Sequence, residues 1–157
     1  MTTLTMRTRG DREFTALGRR FEQAAAELSY RLSGALQEEG QQALAEVRAA
    51  WLGVEVQSSR GGGGSTGLRA RVAAATVAKP HPGGVTIEVE SGRVGDYGRT
   101  LVYGLNGMGR WRHPVFGNDL VWAQQYGQEV FYRTLRGRGW ESRLQRVVDD
   151  VAREIRG

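Results

Sequence analysis

The sequence predicts an α+β fold: a long N-terminal helix, a small, mainly antiparallel β-sheet with a long glycine-rich loop, and a C-terminal helix. Three patterns lead to it. Apolar residues recur at steps of three and four from Phe14 to Trp51, residues 85–91 alternate as a half-buried strand does, and the three-and-four step returns after Trp140. With 157 residues the chain fits one domain, expected over 1–157, with a helix at 11–52, a glycine-rich loop at 60–67, a β-rich body at 68–125 and a helix at 140–156.

In the first helix the apolar stripe comprises Phe14, Leu17, Phe21, Ala24, Ala25, Leu28, Leu32, Leu36, Ala43, Leu44, Val47 and Trp51. Asp11 is placed to cap its start and Gly53 to end it. Unbroken, it would extend on the order of 60 Å at about 1.5 Å per residue. Gly34 and Gly40 are the points where it would bend or divide. So long a stripe exceeds what a small sheet covers, which predicts packing on neighbouring subunits. Val54–Gln57 reads as a short strand, and Gly61–Gly64 with Ser65, Thr66 and Gly67 as a flexible loop. Alanines favour a short helix near Leu68–Ala75, running on through Thr76–Lys79 to a strand that ends at Pro80. Residues 80–84 form a turn before the strand at 85–91, and 92–99 are again rich in turn residues. Leu101–Tyr103 begins either a strand or a short helix. Leu120–Gln124 reads as the last strand, residues 126–135 as a short helix or an irregular segment, and Trp140, Leu144, Val147, Val148, Val151 and Ile155 as one face of the closing helix.

Composition narrows the chemistry. The formal charge is +5, and Lys79 is the only lysine among 22 basic residues. Arginine forms bidentate contacts to carboxylate or phosphate that lysine cannot copy, and net positive charge attracts polyanions without specifying a reaction. The absence of cysteine excludes disulfides, thiolate zinc sites and cysteine nucleophiles. His81 and His113 are the only histidines, too few for a histidine-rich metal site. No run approaches the 18 or so apolar residues of a membrane span, and MTTLTMRTRG lacks the apolar stretch of a signal peptide. The expectation is a protein made in the cytoplasm, with no membrane partner.

Candidate catalytic features read as structural. The glycine run lacks the Gly-Lys-Ser/Thr ending of a phosphate-binding loop, so no cofactor is expected. His113 is the best candidate base, but only Asp119 lies near it as a carboxylate, and Trp111, Val115 and Phe116 make it part of an aromatic anchor. Pro114 biases it to extended backbone. Glu38–Glu39 and Asp149–Asp150 read as solvated helix faces, and Glu88 and Glu90 as one face of a strand. No catalytic, cofactor or metal residue is assigned. Arg93, Arg99, Arg110, Arg112, Arg133, Arg136 and Arg138, interleaved with Trp111 and Tyr132, are candidates for nucleic-acid or acidic-partner contact. Arg60, Arg69 and Arg71 flank the glycine loop with the same potential.

The run Gly109–Asn118, GRWRHPVFGN, followed by Leu120, Val121 and Trp122, resembles the small tail-component or neck proteins of long-tailed bacteriophages. That family commonly shows a W-R-H-P-V-[FY]-G-N core after a glycine-rich approach, with an N-terminal helix, a basic small-residue stretch like Gly67–Ala75 and a C-terminal helix. The resemblance covers the whole layout, though about ten residues carry its specificity. It implies a virion protein at the head–tail joint that connects the head-side connector to the tail, or completes the tail, as a ring that is often sixfold. Implied partners are further copies of the chain, connector and tail proteins, and genomic DNA in the channel. Relatives often have a proline and paired aromatics before the last helix; residues 124–140 hold Phe131 and Tyr132 but no proline. Within the motif, Trp111, Phe116 and Trp122 are the bulky anchors, with His113 as a structural hydrogen-bonding group. Pro114, Gly117 and Asn118 shape the bend, and Arg110 and Arg112 face away from Trp111. The rival reading is a basic DNA-binding protein associated with genome packaging.

Overall fold

The computed structural model describes residues 11–55, 67–107, 109–115 and 118–156. The chain is α+β, as its hydrophobic periodicities predict. Helix α1 (Asp11–Leu52) is continuous through Gly34 and Gly40. It is followed by α2 (Leu68–Ala75), β1 (Thr76–His81), β2 (Gly84–Val89), a 3-10 turn at Ser91–Arg93 and α3 (Gly98–Asn106). The order continues with β3 (Gly109–Val115), β4 (Asn118–Gly127), α4 (Val130–Arg136) and α5 (Trp140–Arg156). The strands form two separate antiparallel pairs, β1 with β2 and β3 with β4, where the sequence predicts one small sheet. Each pair is a hairpin whose partner is its sequence neighbour, so strand content alone does not reveal the division.

Two compact units result, one spanning Leu36–Trp140 and the other combining described residues 11–35 with 141–156. In the larger unit the C-terminal half of α1 supplies Val47 and Trp51 to a core shared with Val54, Leu68, Val72, Val94, Leu105 and Val130. Arg48 ties α1 to β1: its Nε and Nη2 donate to the carbonyl of Thr76 at 3.2 and 2.8 Å. Thr76 is itself buried, and its hydroxyl donates to Val72 O at 2.7 Å. Leu101 and Leu105 lie one helical turn apart and bury together, which makes the segment begun at Leu101 a helix rather than a strand.

Val54 is not in a strand. Its amide closes a turn onto Trp51 O at 3.3 Å and its side chain is fully buried, so the predicted strand fails at 54–55, while 56–57 lie outside the described residues. The glycine loop lies outside them too, except for Gly67, which precedes α2 with φ 69°.

In the smaller unit α1 and α5 meet through Arg31, whose Nη1 donates to Glu154 Oε1 at 2.9 Å while its Nε bonds Glu27 at 2.6 Å. Val151 on α5 is buried. The N-terminal end of the α1 stripe is not: Phe14 is 75% and Phe21 56% exposed, and Leu17 is exposed as well. Among the described residues, no helix is long and apolar enough to cross a membrane.

Candidate functional site: the β3–β4 hairpin

The distinctive segment lies on the β3–β4 hairpin, where register gives each strand face a different task. Arg110 pairs with Tyr126, Trp111 with Gln125, Arg112 with Gln124, His113 with Ala123 and Pro114 with Trp122. Side chains alternate across a strand, so Trp111, His113, Ala123 and Gln125 share the inner face, while Arg110, Arg112, Trp122, Gln124 and Tyr126 share the outer one. Phe116 and Gly117 lie outside the described residues, and Asn118 is placed by its backbone pairing with Val115.

The inner face is packed. Trp111 is partly buried and sits against the core through Gly104 of α3, where an added Cβ would fall 2.4 Å from the indole ring. Glycine at 104 is what lets α3 approach β3 this closely. His113 is 4% exposed, and its ring centroid lies 4.9 Å from that of Trp111. Its Nδ1 is 3.0 Å from Pro114 O and its Nε2 is 3.2 Å from Gln125 Oε1. Both ring nitrogens are therefore engaged within the hairpin, and the geometry pins the imidazole between a backbone carbonyl and a side-chain amide. A neutral imidazole has one N–H: with Nδ1–H donating to Pro114 O, Nε2 is the acceptor, and a flipped Gln125 amide donates its N–H to it. Gln125, buried and on the inner face, is the residue the sequence reading missed. Counting by twos from Ala123 points to it.

The outer face is open. Arg110 and Arg112 are exposed, Trp122 is 45% exposed and Leu120, further along the same face, 93%. Arg110 donates to the phenolic oxygen of Tyr126 from Nη2 at 2.8 Å and from Nε at 3.2 Å. Arg112 lies over the indole of Trp122, 5.7 Å from the ring centroid. Other exposed arginines sit against tyrosines in the same manner: Arg99 on Tyr103 and Arg136 on Tyr132, each at 5.8 Å.

The remaining candidate cations divide. Arg69 turns inward, donating from Nη1 to Leu52 O at 3.0 Å and to Val54 O at 2.7 Å, which caps the C-terminal end of α1. Arg71 is exposed on α2, and Arg60 lies outside the described residues. Arg138 is no surface contact: its side chain is 4% exposed, with Nη2 at 3.1 Å from Glu39 Oε2 and Nη1 against Glu46. Burial opposes its charge, but the hydrogen bonds it donates to Glu46 and Glu39 outweigh that and hold its pKa above the ordinary value. This corrects the reading of Glu38–Glu39 as a solvated pair. Glu38 is exposed, but Glu39 is buried because it falls on the same helical face as Leu36 and Ala43. Glu88 and Glu90 both pair with Lys79.

The larger unit also contains an open, mainly apolar cleft of about 520 Å³, lined by Trp51, Ile87, Val102, Tyr103, Phe131 and Tyr132 among others. Among the described residues, no group of three or more histidine, cysteine or acidic side chains is placed to hold a metal ion. No family model, curated protein or solved structure matches this chain.

Proposed function

We propose that this chain is a structural subunit of a long-tailed bacteriophage virion, located at the joint between head and tail, and that it acts by assembling into a ring rather than by catalysis. The observation that carries the proposal is the segment Arg110–Asn118 together with its setting. It lies on a hairpin whose inner face locks Trp111 and His113 against the body, while the outer face presents Arg110, Arg112 and Trp122. Such a hairpin is anchored on one face and displays the other.

The assembly half has separate support. Phe14, Leu17 and Phe21 stand at i, i+3 and i+7 on α1 and are exposed, an arrangement that suits an amphipathic helix laid into an apolar groove. A contact of this kind between copies is heterologous, and heterologous contacts close into rings when the rotation per subunit divides the circle.

Sedimentation of the purified chain, alone and with head-connector or tail-tube subunits, tests the proposal, together with mass spectrometry of purified particles. The expected result is a closed oligomer or a complex with one of those components, and presence of the chain in virions. A strict monomer that binds neither component and is missing from particles sinks it.

A further inference from the structure

The outer face of the β3–β4 hairpin has an arginine arrangement that the assembly reading does not require. Its side chains are Arg110 and Arg112 on β3 and Leu120, Trp122, Gln124 and Tyr126 on β4, with Pro114 near the turn. No carboxylate stands at any of these positions. Among the described side chains, neither guanidinium has a carboxylate partner, in contrast to Arg31, Arg93 and Arg138. Both are held nonetheless. A guanidinium carries five N–H donors. Arg110 commits two of them to one phenolic oxygen, and Arg112, itself exposed, rests over an indole face. Two exposed charges are thus positioned by aromatic partners without being neutralised.

The complementary ligand has negative charge and repeated acceptor oxygens matching a planar fork, and it tolerates adjacent aromatic rings. The phosphate backbone of a nucleic acid has all three properties. An acidic protein partner fits less well, because a stable protein interface takes about 20–30 residues per side, whereas this face offers one row of side chains on each strand. We propose that the outer face of the hairpin binds nucleic-acid phosphate through Arg110 and Arg112, with Tyr126 and Trp122 positioning the two guanidiniums. The proposal stands whether or not the chain belongs to a virion.

Fluorescence anisotropy of the full chain with a labelled duplex and a labelled oligo-dT strand, across salt from about 50 to 200 mM, tests it. Each phosphate contact contributes about 0.9 to the slope of log affinity against log salt on duplex DNA, so Arg110→Gln/Arg112→Gln should reduce the slope by about 2. Each single variant should reduce it by about 1, and Arg110→Lys/Arg112→Lys should largely preserve it. Arg19→Gln, on exposed α1, serves as the control for charge alone. Slope changes of about 0.9 per arginine on duplex and about 0.7 on single strand identify phosphate contact by itself. Stronger single-strand binding that Trp122→Ala abolishes identifies added stacking on the indole. No binding at low salt overturns the proposal, as does an Arg19→Gln effect equal to that of the hairpin variants. Displacement of DNA by polyglutamate at matched charge also overturns it, in favour of an acidic protein partner. Circular dichroism of each variant separates loss of contact from loss of fold, and the lysine pair keeps the test decisive if a glutamine variant unfolds.

Discussion

Arg93 and Lys79 approach the Glu90 carboxylate at 3.0 Å each. The hydrogen bond from Arg93, followed by that from Lys79, holds Glu90 below its ordinary carboxylate range. A depressed folded-state pKa contributes stability above the unfolded value and loses it as pH falls through the folded one, and exposure keeps this contribution small. A carboxyl NMR titration should therefore place the Glu90 midpoint below 4.5 and move it upward in Arg93→Ala. A midpoint at or above 4.5 in the unaltered chain contradicts the geometry. The buried Glu39–Arg138 pair is a larger effect. Arg138→Met takes the guanidinium away from the buried Glu39 carboxylate, and should lower stability in urea by about 3–5 kcal/mol. Glu39→Leu/Arg138→Met should recover most of that loss, because two apolar groups need no partner. A cost under about 1 kcal/mol for the single variant would mark the pair as no better than a surface one. The burial of Glu39 was legible in part: helical spacing puts it beside Leu36 and Ala43. Its partner was not, since Arg138 lies 99 residues away in sequence.

At the scale of elements, two glycines in one helix behave differently. Gly34 has open space around it, whereas a Cβ on Gly40 would lie 2.6 Å from Cγ1 of Val85 on β2. Alanine gains about 1 kcal/mol over glycine in a helix interior, and overpacking costs about 1–3 kcal/mol. Thermal melts should therefore show Gly34→Ala raising the melting temperature and Gly40→Ala lowering it; the same direction for both would mean that β2 does not press on α1. The sequence made α1 and α5 readable because each follows one periodicity for long enough, and α2 because its alanines favour helix. Residues 101–103 were too short to distinguish three-and-four spacing from alternation, and Leu105 on the following turn decides for helix. Val54 satisfied the composition of a strand, yet its backbone completes the end of α1 and its carbonyl accepts from Arg69.

For the molecule as a whole, the apolar stripe of α1 carries the assembly proposal. Phe14→Glu/Phe21→Glu should shift sedimentation toward the monomer. It should barely change the melting temperature, since substitutions at exposed positions stay within about 0.5 kcal/mol. Unchanged assembly would assign the subunit contact to another surface. The same double variant should leave nucleic-acid binding by the hairpin intact, so the two proposals can fail independently.

The sequence by itself determined the fold class, the bounds of the long and closing helices, and the two-faced character of Arg110–Arg112. Those properties follow from local periodicity and from the alternation of side chains along a strand. Tertiary structure alone decided that the strands form two hairpins, that Arg69 and Arg138 turn inward while Arg110 and Arg112 remain outside, and that Gln125 meets His113. Such outcomes depend on which distant backbone oxygens and carboxylates need partners once water is excluded, and one-dimensional spacing does not encode that.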